Sequence, residues 1–268
     1  MKKILNILII AFLFQGIAFA QNETEDQTTE EDLEKEIQNP IANLISIPFQ
    51  NNMDFSIGPY ERTRNTLNLQ PVIPFSLGEN LNLITRTIIP IISQPLGEND
   101  SEFGLGDVNL SLFLTSAKPT KVIFGGGVAL GLPTASNEVL GTEKWTAGPS
   151  FVVLVQPEGW TIGALAQNTW SFAGSDDRGD VNFFFSQVFA TKNLEKGWYV
   201  NSAPIITANW EAPSGQQWTV PLGAGFGKLF RLGKLPVNAQ AGYYYNVVTP
   251  DFGPESQFRF QVVLLFPK

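Results

Sequence analysis

The sequence of 268 residues contains neither histidine nor cysteine. That removes serine–histidine and cysteine–histidine catalysis, and the usual zinc ligand sets, before any fold is considered. No GxSxG and no GxxxxGKS/T occurs, so neither a nucleophile elbow nor a phosphate cradle is encoded. Gly104-Leu105-Gly106 and Gly125-Gly126-Gly127 stand where turning, packing or curvature needs glycine. Asp176, Asp177 and Asp180 lie close together, but calcium takes six or more oxygens in a set geometry, so a solvated loop is the expected reading. No cofactor and no metal are expected, and the chain reads as a non-enzyme. The residue with the strongest chemical claim is Arg86, a lone base in the apolar run 81–92. Facing lipid at mid-membrane it would cost ~2–4 kcal/mol, so it is expected to face an interior. Asp54 is its expected partner. The pair either fixes the structure or meets a solute. Gln70, Phe113, Gln167, Asn182, Phe184, Tyr244, Arg259 and Gln261 are expected on the same inner surface, a wall mixing polar and aromatic groups.

An inner surface requires elements that enclose one. In residues 257–266, Phe258, Phe260, Val262, Leu264 and Phe266 share one parity, while Gln257, Arg259 and Gln261 take the other. Strand side chains alternate faces with period two, so this is a ribbon with one greasy side. The pattern recurs over 52–58, 64–75, 81–92, 107–115, 121–132, 144–156, 159–172, 180–191, 197–210, 217–228 and 236–246, giving twelve strands. In 180–191 the greasy parity is Val181, Phe183, Phe185 and Phe189, which places Asn182 and Phe184 inward. A soluble sandwich or lipocalin-like carrier would turn its greasy side inward. An all-β transmembrane up-and-down barrel turns it outward.

Two observations favour the membrane. Trp160 and Trp170 share parity and lie ten steps apart, ~33 Å at ~3.3 Å per residue. Tilted by ~40°, that projects to about 25 Å, the height of a barrel's lipid-facing band between aromatic girdles. Trp198 and Trp210 repeat the arrangement, and Trp145 and Trp218 complete the expected girdle. The connections also sort into short ones (76–80, 116–120, 157–158, 193–196, 231–235) and mostly longer ones (59–63, 93–106, 133–143, 173–179, 211–216, 247–255), the asymmetry of bacterial barrels. Pro71, Pro90, Pro149, Pro204 and Pro221 fall inside strands, where they cannot donate to the ladder and are expected to break it locally.

The N-terminal residues complete the plan. Lys2 and Lys3 precede an apolar run ending Ala18-Phe19-Ala20, the pattern of a cleavable secretory signal over 1–20. Residues 21–39 carry eight acids (Glu23, Glu25, Asp26, Glu30, Glu31, Asp32, Glu34, Glu36) and are expected to form a disordered tether. Residues 40–50 are apolar, with Ile41, Leu44, Ile45 and Pro48 at helical spacing, and read as a plug-like segment at the periplasmic mouth of a barrel spanning 51–268. The chain holds 25 acids and 17 bases; setting aside those eight acids with Lys2, Lys3 and Lys35 leaves 17 against 14, a net −3. A nearly neutral body argues against a nucleic-acid partner.

Several strings resemble a known family. Residues 39–50 (Asn39-Pro-Ile-Ala-Asn-Leu-Ile-Ser-Ile-Pro-Phe-Gln50), Gln70-Pro-Val-Ile-Pro-Phe75, Ile84-Thr-Arg-Thr-Ile-Ile-Pro90, Trp170-Ser-Phe-Ala-Gly174 and Pro204-Ile-Ile-Thr-Ala-Asn-Trp-Glu211 are similar to the bacterial outer-membrane family named for the meta-pathway of phenol degradation. Its members are often labelled transporter, some under the misapplied name neuromedin U. The resemblance covers residues 39–268 and includes several of the in-strand prolines. It implies a barrel passing aromatic or other hydrophobic small molecules, and it supplies no catalytic residues. The expectation is a monomeric channel or facilitator in the outer membrane of a Gram-negative bacterium, inserted by the barrel-assembly machinery. Its partners are membrane lipid and small solutes; the alternatives are a structural barrel without transport and a soluble carrier.

Overall fold

The computed structural model describes residues 30–267. The expected signal, 1–20, and residues 21–29 of the expected tether lie outside them. In chain order the elements are helix α1 (Glu30–Ile37), β1 (Ile45–Ile57), β2 (Arg62–Leu69), β3 (Val72–Ser76), β4 (Leu81–Leu96), β5 (Asp100–Leu105), β6 (Val108–Ser116) and β7 (Val122–Leu132). There follow β8 (Lys144–Val155), β9 (Trp160–Gly174), β10 (Asn182–Asn193), β11 (Trp198–Ser202), β12 (Ile205–Asn209), β13 (Trp218–Leu232), β14 (Leu235–Val248) and β15 (Ser256–Phe266). Neighbouring segments pair antiparallel. β15 joins β14 to β1, and β9 joins β8 to β10, so the sheet closes on itself.

Three traverses are interrupted. β2 and β3 flank Gln70-Pro71, β5 and β6 flank Gly106-Asp107, and β11 and β12 flank Ala203-Pro204. Taking each as one strand reduces the fifteen segments to the twelve-stranded barrel that the alternation predicts. The prolines break the ladder where a missing N–H must be absorbed. Pro71 and Pro204 sit in the interruptions, and Pro221 follows a register shift after Val220. At Pro149 the β8–β9 pairing runs to Ala147↔Trp170 and resumes at Ser150↔Gln167. Pro90 stays within β4, opposite Asn68.

The outer face is apolar. Phe124, Val128, Phe151, Val153, Leu222 and Phe226 all project from it and are exposed. This orientation is the reverse of a soluble lipocalin-like carrier. All six tryptophans are exposed as well. Trp160 and Trp198 lie at the end bearing the short turns; Trp145, Trp170, Trp210 and Trp218 lie at the other. There Trp210 and Trp218 meet edge-on at 5.2 Å between centroids. At the short-turn end Lys192 Nζ stands 5.2 Å from the Trp160 ring and Lys228 Nζ 5.0 Å from Trp198. A cation above an aromatic face at the rim of an apolar band is an arrangement that suits a membrane interface.

Four expectations are corrected. Residues 93–106 are not an open loop: β4 runs on to Leu96 and pairs with β5, with Ser93 opposite Phe103, so this hairpin extends the wall beyond the barrel. Residues 45–50 belong to β1, where Ile45 to Gln50 pair with Phe266 to Gln261. The helical spacing there yields to an alternation whose partner strand is already present, so only residues 40–44 of the expected plug-like segment lie outside the strands. The expected tether is helical over Glu30–Ile37. Eight residues are too few to hold a helix alone, but Leu33 and Ile37, four apart, share one stripe. That stripe packs with Ala42, Leu44, Leu229, Val263 and Leu265 at the short-turn end of the barrel. The fourth correction concerns β10. Its register pairs Phe185 with Gln167 and Phe189 with Gly163, and both phenylalanines pack inside. Asn182, Phe184 and Val188 therefore face outward.

Candidate functional site

Once register assigns every second residue to the inside, the lumen can be built from its walls. One wall is apolar. Val72, Ile84, Phe113, Val152, Leu154, Leu165 and Phe189 form a single cluster, with Ile123, Phe185 and Ala203 packed against it. One further member does not belong to the wall: Ile41, carried in by the N-terminal segment. Gly125 makes room for it, since a Cβ there would stand 2.8 Å from the Ile41 Cδ1. This explains β10: an apolar side chain inside the lumen needs an apolar lining, so Phe185 and Phe189 turn inward and the greasier face is not the lipid face. The segment is tied down by Gln156 Nε2, which donates to the Lys35 carbonyl at 2.7 Å, and by a bond from Gln38 Nε2 to Asn193 Oδ1. Asn39 Oδ1 accepts from the Ile41 N–H at 3.0 Å and turns the chain inward.

The opposite wall is polar. Gln50, Gln261 and Gln240 lie side by side on β1, β15 and β14. Gln240 Nε2 donates to Gln261 Oε1, and Gln240 Oε1 accepts from Tyr199 Oη at 3.1 Å and from Asn201 Nδ2 at 3.4 Å. The single Tyr199 hydroxyl proton is shared with Asn238 Oδ1, 2.9 Å away. Its ring lies where Gly227 has no side chain; a Cβ at Gly227 would come within 2.3 Å of it.

Above this row lies a charged network. Asp54 pairs with Arg64 at 2.9 Å, and Gln257 Nε2 donates to the other Asp54 oxygen at 2.7 Å. Gln257 Oε1 in turn accepts from Arg259 Nη2 at 3.0 Å. Arg259 lies 4.5 Å over the Tyr244 ring and donates from Nη1 to the Ala203 carbonyl at 2.9 Å. The Ala203 N–H donates to Tyr244 Oη at 3.3 Å. The Pro204 interruption thus leaves Ala203 backbone groups out of the ladder, and lumen side chains satisfy them. At the Pro71 interruption the backbone satisfies itself, the Gln70 N–H donating to the Pro48 carbonyl at 2.9 Å and the Thr87 N–H to the Pro71 carbonyl at 3.1 Å, while the Gln70 side chain accepts from Arg86 Nη2 at 3.0 Å.

Of the residues expected on the inner surface, Arg86, Asp54, Gln70, Phe113, Gln167, Tyr244, Arg259 and Gln261 face the lumen. Gln167 accepts from Ser150 Oγ at 3.4 Å and from Ser111 Oγ at 3.5 Å. Asn182 and Phe184 do not belong there. Asn182 accepts from Asn168 Nδ2 at 3.0 Å on the outer surface, and Phe184 packs with Trp210 and Trp218. Nor does Asp54 bind Arg86. The base directly across the ladder from Asp54 is Arg64, and the cross-strand neighbour wins. Tyr199, Asn201 and Arg64 are lumen residues that sequence reasoning passed over. Parity opposite Trp198 was the signal for Tyr199.

The two walls and the segment 36–44 line a cavity of about 160 Å³. Arg86, Gln70, Val72, Phe189, Tyr199 and Arg259 all line it. One side of this cavity is therefore apolar and the other polar and charged.

No protein-family model matches the chain, and no curated protein matches it in sequence. Solved structures do match. An outer membrane channel from Pseudomonas putida F1 aligns with 92% of this chain and 100% of its own length, at 16% identity and a TM-score of 0.64. The NanC porin aligns with 84% of this chain and 100% of its own length, at 7% identity and a TM-score of 0.54. At such identities the likeness is one of fold: a closed antiparallel barrel of the outer-membrane kind.

Proposed function

We propose that this protein is an outer-membrane channel or facilitator for passive uptake of small solutes with substantial apolar surface, aromatic ones among them. The observation that carries the reading is the lumen. Side chains alone do not fill it; the segment 36–44 occupies part of it, between an apolar wall and a polar one. The short turns, and with them α1, face the periplasm. The resemblance to the meta-pathway phenol-degradation family supports the same solute class, and membership of that family is part of this proposal. So are the monomeric state and insertion by the barrel-assembly machinery. With no histidine or cysteine in the sequence, the Ser-His and Cys-His hydrolytic mechanisms have no residues to run on. Asp54, Gln70, Arg86, Gln167, Tyr244, Arg259 and Gln261, with Phe113, form the solute pathway.

The test is planar-bilayer conductance of the refolded mature chain beside a form lacking residues 21–44, which leaves β1 whole. The shortened form should conduct several-fold more, and aromatic solutes should block it. A second reading is a structural barrel without transport, favoured by the complete burial of Ile84 and Phe113 around Ile41. Silence from both forms, with folding verified, would select it.

A further inference from the structure

We propose that Arg86 is the head-group site of this pathway and binds the carboxylate of a small amphipathic anion. The inference rests on the channel reading and names one end of its solute. Arg86 stands mid-wall on β4, between Val72 of β3 and Ser111 of β6. A guanidinium carries five N–H donors in a planar fork and has no acceptor of its own. Among the described residues Arg86 makes one side-chain hydrogen bond, to Gln70, and no ion pair. Asp54, the expected partner of Arg86, is held instead by Arg64 and Gln257. Glu36 lines the same cavity and holds contacts of its own.

The contrast with Arg259 is instructive. Arg259 spends its donors on Gln257 and the Ala203 carbonyl and lies over Tyr244, which is how a guanidinium is built into a wall. Arg86 has no such cage. A charge held in a partly desolvated lumen without a counter-charge favours binding an anion, and a fork favours a planar one with two oxygens. Val72, directly across the ladder from it, and Phe189 line the same cavity and offer apolar surface to the remainder of the molecule.

The discriminating pair of probes is benzoate and benzyl alcohol, alike in ring and differing in charge. Their affinities are measured by calorimetry on the full mature protein in detergent, wild type and the Arg86→Gln and Arg86→Lys variants. Wild type should bind benzoate about tenfold or more tighter than benzyl alcohol, as a charge-assisted pair implies. Arg86→Gln should abolish that preference by weakening benzoate to the level of benzyl alcohol, and Arg86→Lys should retain part of it. Equal affinity of wild type for the two probes overturns the proposal, whether or not the variants fold. So does an Arg86→Gln protein that keeps the preference. Benzoate preference in a barrel that conducts nothing would instead remove the channel reading and leave the Arg86 site standing.

Discussion

Asp54 shows how much a single lumen carboxylate organises. It accepts from Arg64 and Gln257, and through Gln257 it reaches Arg259 and the Tyr244 ring. Removing it leaves Arg64 without its counter-ion and Gln257 without its acceptor. Replacing Asp54 by Ala should cost about 1–3 kcal/mol, since a deserted charge partner is dearer than an ordinary lost hydrogen bond. Urea unfolding of the refolded barrel measures this, and an unchanged midpoint would show the network to be ornamental. At Gly125 the issue is space. Valine there would press on Ile41 and on Val152, so Gly125→Val should loosen the N-terminal segment and raise conductance. A conductance equal to wild type would mean the segment tolerates the intrusion.

Among the elements, β10 and the N-terminal segment depend on one another. Phe185 and Phe189 face inward because Ile41 is there to meet them. The chain's lack of cysteine makes this directly measurable, since a single introduced cysteine is a unique attachment point. Nitroxide labels at positions 184 and 188 should show the high oxygen accessibility of lipid, and labels at 185 and 189 should not. The opposite alternation would restore the parity read from sequence. The segment itself should weaken with Ile41→Ala, which removes buried methyl groups worth about 2–5 kcal/mol of docking. Excess open-channel time in single-channel records is the expected signature. The segment docks only on the closed barrel, so the lost docking should also lower the temperature at which the barrel unfolds.

The whole molecule is a closed wall in a solvent that accepts no unpaired backbone group. Its breaks are permitted because the freed groups find partners: at Pro204 the Ala203 N–H and carbonyl turn to Tyr244 and Arg259 in the lumen, and at Pro71 the Gln70 N–H and the Pro71 carbonyl bond the backbone of Pro48 and Thr87. The outer face has no such resource. Phe226→Arg, mid-strand on the exposed apolar band, should destabilise the inserted barrel by about 2–4 kcal/mol. Loss of the heat-modifiable folded band on a gel at lower urea than wild type reports it, and indifference to the substitution would place that face away from lipid.

The architecture was legible in the sequence because a barrel is the repetition of a local rule. Period-two alternation, girdle spacing and the asymmetry of the connections are each encoded within one strand or one hairpin, so strand number and most facings follow from reading along the chain. Arg86, Arg259, Gln261 and Gln70 could be placed in the lumen on parity alone. Partnership could not be read in the same way. Whether Asp54 meets Arg86 or Arg64 depends on register between strands, which a single ribbon does not contain. The inward Phe185 and Phe189, and the helix at Glu30–Ile37, were beyond reach for a related reason. Alternation says that two faces differ, but which one is lined with apolar groups depends on what fills the lumen. That filling comes from residues more than a hundred positions away in sequence, brought to β10 only when the sheet closes.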